Sequence, residues 1–226
     1  MPVRRIASAL GLLAIALVLS PAHAGAPTDQ LRTHIDRVLK VLDDPELKKE
    51  GRTDERRATI RAIANEIFDF AAISRRALGR HWPARTPAER EEFVRLFSDL
   101  LERAYITKIE GYSGGERIEY LGEIADGDVV TVRTRIVTRQ GTDVPVDYRM
   151  LNEAGRWHAY DVNIAGVSLV ANYRTQFNSI IARASYQELV ARLRAKQAER
   201  AEPRTTGRPA PVVPASVPLP TAREGP

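Results

Sequence analysis

The sequence predicts an α+β fold in which helices pack around a strongly twisted antiparallel sheet of about four strands. Three observations carry this expectation. Apolar residues recur with a helical period through the first half of the chain. The period changes to two between Arg117 and Ile164, and helical spacing returns after Ser168. Helices, then an antiparallel meander, then helices place the helical layer against one face of a curved sheet.

The first helix spans about Thr28 to Leu42, with Leu31, Ile35, Val38, Leu39 and Leu42 on one stripe. After a polar stretch from Asp43 to Thr53, a second helix carries Ile60, Ile63, Ile67 and Phe68. A third, shorter helix covers Phe70 to Leu78 and stops at Gly79, a residue suited to the position just past a helix end. Thr86-Pro87-Ala88-Glu89 reads as a capping box with proline at the first helical position. The helix it opens presents Phe93, Leu96, Phe97, Leu100, Leu101, Ala104 and Tyr105 on a wide face and ends by Gly111.

Arg117 to Leu121 is the first expected strand, with a turn at Asp126-Gly127. Val130 to Ile136 alternates, Gly141 marks the next turn, and Val144 to Leu151 alternates again. Asn152-Glu153-Ala154-Gly155 then leads into a fourth strand, Arg156 to Ile164. Val170, Tyr173, Phe177, Ile180 and Ile181 resume the helical spacing. Ser185 to Glu188 forms a second capping box ahead of Leu189, Val190 and Leu193.

Both ends of the chain differ from this core. Met1 to Arg5 is basic, Ile6 to Leu19 is predominantly apolar, and Ala22-His23-Ala24 has the small-x-small pattern of a secretory cleavage site. The apolar run is short of the roughly 20 residues that span a bilayer. Residues 1–24 are therefore expected to be a signal peptide cleaved after Ala24, leaving an exported, soluble protein. Residues 203–226 hold seven of the fourteen prolines and no helical or strand period, as a disordered Pro-rich tail does. The folded domain is expected over 25–202.

The formal net charge is +5. Two of those charges belong to the signal segment, and the tail contributes three arginines against one glutamate, so the domain itself carries about +1. A clustered basic face for nucleic acid is therefore not expected. The chain has no cysteine, which excludes disulfides, a thiol nucleophile and cysteine-based metal sites. His34, His81 and His158 are not spaced as ligands, so neither a metal nor a cofactor is expected. No phosphate loop, nucleophile elbow or nucleotide fingerprint is present.

The acidic candidates are Asp147, beside Tyr148, and Asp161, beside Tyr160. A carboxylate and a tyrosine over an apolar pocket would suit an isomerase-like enzyme on a cone-shaped α+β fold. Asp147, however, lies on the strand face opposite Val146 and Tyr148, where pairing with Arg149 explains it, and no catalytic residue is expected. Periodicity does not separate a packed interior from a hollow one.

Several stretches together resemble the MlaC-type (toluene-tolerance) family of periplasmic phospholipid carriers. They are Phe68-Asp69-Phe70, Leu78-Gly79-Arg80-His81-Trp82, Thr86, Phe93 to Leu101, Val146-Asp147-Tyr148-Arg149-Met150 and Gly155-Arg156-Trp157. Asp161-Val162, Gly166-Val167-Ser168-Leu169-Val170, Asn172-Tyr173-Arg174 and Gln176-Phe177 complete the ordered set. The resemblance implies an apolar cavity holding phospholipid as cargo. It also implies two partners, an outer-membrane lipoprotein complex and an inner-membrane ABC transporter with a periplasmic lipid-binding subunit. The expected lining is Val130, Val132, Ile136, Val146, Tyr148, Val162 and Ile164 from the sheet, with Phe70, Ile73, Leu78, Phe93, Phe97, Leu100 and Leu101 from the helices. Tyr173 and Phe177 close one side.

Overall fold

In a computed structural model, residues 26–111 and 114–198 are described; the expected signal segment and the whole of the expected tail lie outside them. The first helix, α1 (Ala26–Asp43), begins earlier than the apolar stripe alone suggests. Glu123, far away in sequence, accepts hydrogen bonds from the Thr28 amide at 2.8 Å and the Thr28 hydroxyl at 2.6 Å. A carboxylate at a helix N-terminus satisfies free amides and opposes the helix dipole.

Helix α2 (Thr53–Ile67) stops where Phe68 turns to extended backbone, and Asp69 then caps α3 (Phe70–Leu78) by accepting from the Ala72 amide. Gly79 ends α3 at φ +54°, a backbone conformation that favours glycine, and leads through a 3-10 turn, Gly79–His81, with the Arg174 side chain in van der Waals reach. The capping box before α4 (Pro87–Glu110) is present in full. The Glu89 amide donates to the Thr86 hydroxyl, and the Thr86 amide donates to the Glu89 carboxylate.

The meander is β1 (Arg117–Asp126), β2 (Val129–Val137), β3 (Asp143–Glu153) and β4 (Arg156–Ile164), all antiparallel neighbours. A fifth strand, β5 (Val167–Ser168), folds back onto Asn163 and Ile164, so the sheet has five strands rather than four and is not closed. Two residues are too few to show a period. β1 also runs to Asp126, five residues past the expected end. A bulge at Leu121 shifts its register, so Ile118 and Tyr120 face inward before it and Glu123 and Ala125 after it. The chain then enters α5 (Leu169–Arg183), capped by Ser168, and α6 (Tyr186–Ala198), where the Ser185 hydroxyl accepts from the Glu188 amide.

The open edge of β4 is covered. Gln30 of α1 binds the Trp157 backbone, the Asp69 amide donates to the Ala159 carbonyl at 3.1 Å, and β5 takes the far end. An edge occupied along its length offers no template for another chain. Helices α1 and α2 lie over the inward face of the sheet, while α3, α4, α5 and α6 build a second apolar cluster among themselves. Among the described residues, no helix is long and apolar enough to cross a membrane.

Candidate functional site

The ladders fix which side chains share the inward face. Val132 opposes Tyr148, which opposes Val162; Thr134 opposes Val146, which opposes Ile164; Ile136 opposes Val144, and Val130 opposes Met150. The seven sheet residues expected from the sequence therefore stand on one wall. Its Thr134 hydroxyl is buried and donates to the Val146 carbonyl at 2.7 Å, so the polar atom is satisfied within the strands.

Leu31 and Ile35 of α1 and Ile63 and Ile67 of α2 pack on this wall. Their cover is incomplete. Val132 is wholly buried, yet Ile118, Tyr120, Ile136, Tyr148 and Ile164 stay partly exposed although they face inward. Burial pushes the Tyr148 hydroxyl up to about 12 and raises that of Tyr120 as well. Both remain neutral hydroxyls at any physiological pH.

The expected helical residues form a separate compartment. Ile73, Leu78, Phe93, Phe97, Leu101, Tyr173 and Phe177 are buried together, with Phe70 and Leu100 packed against them. The Phe97 ring meets those of Tyr173 and Phe177 edge-on, each at 4.9 Å, and Phe93 meets Phe177 the same way at 5.6 Å. Phe68 touches this cluster and both apolar clusters of the sheet, and so joins the two compartments.

The sequence shows Phe68 as the last apolar residue of the second helix and as part of the Phe68-Asp69-Phe70 stretch; its role as a joint comes from leaving that helix. Ile118 and Tyr120 show a clean period of two in the sequence, but the bulge that follows cuts the pattern short. Leu31, Ile35, Ile63, Ile67, Met150 and Ala159 also belong to the sheet-side cluster. The first four carry a helical stripe, which says that they are buried but not what covers them.

The two carboxylates stand apart from the apolar wall. Asp161 is buried on the opposite face. One of its oxygens accepts from the Ser168 hydroxyl at 2.7 Å and the other from the Val170 amide at 3.0 Å. Asp147 sits opposite Arg133 and Asn163 on that same outer face. The expected pairing of Asp147 with Arg149 is not the contact formed. Arg149 lies over the Tyr160 ring at 5.5 Å, with Arg76 over the same ring at 4.1 Å, because an aromatic face holds a planar guanidinium out of reach of the neighbouring strand position. His81 shares the Asn178 side-chain oxygen with Arg80 at the rim of an open groove of about 320 Å³, lined also by Leu78, Arg174 and Thr175.

Residues 32–195, most of the described domain, match the protein family described as MlaC protein. The chain belongs to the MlaC family. Its likeness to the intermembrane phospholipid transport system binding protein MlaC of Haemophilus influenzae is 24% identity over 139 residues. That alignment covers 58% of this chain and 64% of the relative, so the chain spans less than two thirds of that protein's length. Among solved structures, the phospholipid-binding protein of Ralstonia solanacearum in complex with a phospholipid superposes with a TM-score of 0.67 and 26% identity. The superposition covers 79% of this chain and 100% of that one, so the MlaC α+β architecture is shared throughout the neighbour's length.

Proposed function

We propose that this MlaC-family chain is a phospholipid-binding transport protein, exported by the segment ending at Ala24 and active in the periplasm. The observation that carries the reading is the incompletely covered apolar wall of Ile118, Ile136, Tyr148 and Ile164, on a fold that holds a phospholipid in a solved relative. Acyl chains would lie along the sheet wall beneath α1 and α2. The aromatic cluster of Phe93, Phe97, Tyr173 and Phe177 would brace it from the other side of Phe68.

Energetics support a carrier that hands its cargo over directly. Two acyl chains of about 15 methylenes each, at roughly 0.8 kcal/mol per methylene, cost about 24 kcal/mol to expose to water. That exceeds the roughly 18–21 kcal/mol at which non-covalent affinities saturate, so the cargo moves between apolar hosts rather than through solution. Transfer between such hosts is nearly balanced and requires no covalent chemistry. Direction would come from the partners, an outer-membrane lipoprotein complex on one side and an inner-membrane ABC transporter with a periplasmic lipid-binding subunit on the other. An enzyme reading would need a free carboxylate on the apolar wall; Asp147 and Asp161 stand on the opposite face, and Glu123, which faces inward, is engaged by the amide and hydroxyl of Thr28.

Native mass spectrometry of gently purified residues 25–226, followed by organic extraction, tests the proposal. The expected result is a discrete adduct that yields diacyl phospholipid. A bare mass, with no uptake from labelled liposomes, would overturn it.

A further inference from the structure

On the inward wall, among the described residues, the Tyr120 hydroxyl is a buried polar atom without a hydrogen-bond partner. Among the described residues, the neutral hydroxyls that are buried and find no hydrogen-bond partner are those of Ser74 and Tyr120. Ser74 sits within α3, where a hydroxyl can rotate to share the carbonyl one turn back. Tyr120 has no such option. It stands on β1 opposite Thr134, whose hydroxyl hydrogen is committed to Val146 and whose oxygen is not within hydrogen-bond reach of it, and it packs against the cluster of Leu31, Ile35, Val130 and Val132. A buried donor left unpaired is destabilising, so its retention in an apolar wall calls for an acceptor from outside the chain.

The surroundings of Tyr120 specify that acceptor. Arg32 of α1, itself exposed, places its guanidinium 4.4 Å from the centre of the Tyr120 ring. Burial first, and then the negative charge of Asp36 one turn further along α1 and the neighbouring Tyr148 hydroxyl, hold the Tyr120 hydroxyl in its protonated, donating form against the pull of Arg32. From solvent to interior the order is a cation, a neutral donor, and then aliphatic side chains. A glycerophospholipid has the matching order of phosphate, ester carbonyls and acyl chains. A phosphate at the depth of the hydroxyl would leave water for an aliphatic surround at high cost, whereas an ester carbonyl is neutral and directly joined to the chains.

We infer that the Tyr120 hydroxyl donates a hydrogen bond to an ester carbonyl of bound phospholipid, with Arg32 at the rim facing its phosphate. The inference rests on the carrier reading above and adds a chemical class to it: the site distinguishes ester-linked from ether-linked lipid. Neither Tyr120 nor Arg32 stands out in the sequence, because their pairing joins a helix to a strand nearly ninety residues later.

The test compares the full mature chain with Tyr120→Phe, using phosphatidylethanolamine in diacyl and dialkyl-ether forms of equal chain length, each competed against a fluorescent phospholipid. The wild type is expected to favour the ester by about fivefold, the worth of one neutral hydrogen bond in a buried site. Tyr120→Phe should bind the two lipids equally and unfold at a higher temperature when lipid-free, since it removes an orphaned donor. Arg32→Gln should weaken both lipids alike and leave their ratio intact. An ester preference that survives in Tyr120→Phe, or its absence from a wild type that binds both lipids, would overturn the inference. An equal loss for both lipids in Tyr120→Phe would overturn the ester assignment. A wild type that takes up neither lipid would overturn the carrier reading, and this inference with it.

Discussion

Gln30 binds the backbone of Trp157 twice: its amide nitrogen donates to the Trp157 carbonyl at 2.7 Å, and its oxygen accepts the Trp157 amide at 3.0 Å. One side chain thus supplies the ladder step that a neighbouring strand would supply, and it fixes α1 over the inward wall. Gln30→Ala leaves both backbone groups unpaired. It is expected to cost about 1–3 kcal/mol, read as a lower denaturant midpoint with an unchanged slope. Faster amide exchange at Trp157 would locate the loss at the α1–β4 seam.

The two apolar compartments should respond differently to truncation. Phe97 has no solvent exposure and holds Tyr173 and Phe177 edge-on, so Phe97→Ala should cost about 3–5 kcal/mol of stability. The protein that still folds should retain its lipid stoichiometry. Ile136 is half-buried on the sheet wall, and Ile136→Ser should cost only about 1 kcal/mol while lowering bound lipid about fivefold. Paired melting curves and lipid extractions check both statements. Equal lipid loss in the two variants would contradict the division of labour.

Asp161 joins β4 to α5 through the Ser168 hydroxyl and the Val170 amide. Removing a carboxylate that satisfies two buried donors should cost about 2–4 kcal/mol in Asp161→Ala, with a smaller loss in Asp161→Asn. Folded Asp161→Asn should carry as much lipid as wild type, because the residue faces away from the apolar wall. Urea titration and lipid extraction on one preparation separate these effects.

Acid should loosen the contact between α2 and the end of α4. The Glu110 carboxyl is held below its usual range, first by its hydrogen bond from Arg57 and then by that from Arg56, with distances of 2.8–3.0 Å. A carboxylate with a depressed folded value stabilises the protein above its unfolded value, near 4.5, and loses that contribution as pH falls through the folded value. Wild type should therefore exceed Glu110→Gln in melting temperature at pH 7, with the gap closing below about pH 4.5. A gap that stays constant from pH 7 to pH 3 would contradict the assignment.

Much of this protein follows from interactions a few residues long. The Thr86 capping box, the stop at Gly79 and the alternation of Val130 to Ile136 all depend on neighbours within about one helical turn or two strand positions. Such signals survive in the sequence whatever lies across from them. They were enough to predict an α+β fold and to name seven residues that share one wall.

What they did not determine is which surfaces meet. Phe68 reads as the last residue of a stripe, and only the break between α2 and α3 turns it into the joint between the sheet and the helix cluster. The bulge at Leu121 moves Glu123 onto the inward face, where it caps a helix 95 residues away, and Gln30 reaches Trp157 across 127. The pairing of Arg32 with Tyr120 is of the same kind. A periodic pattern records that a side chain is buried, because burial repeats with the geometry of its own element. It does not record the partner, because the partner is chosen by packing between elements whose order along the chain leaves no local trace.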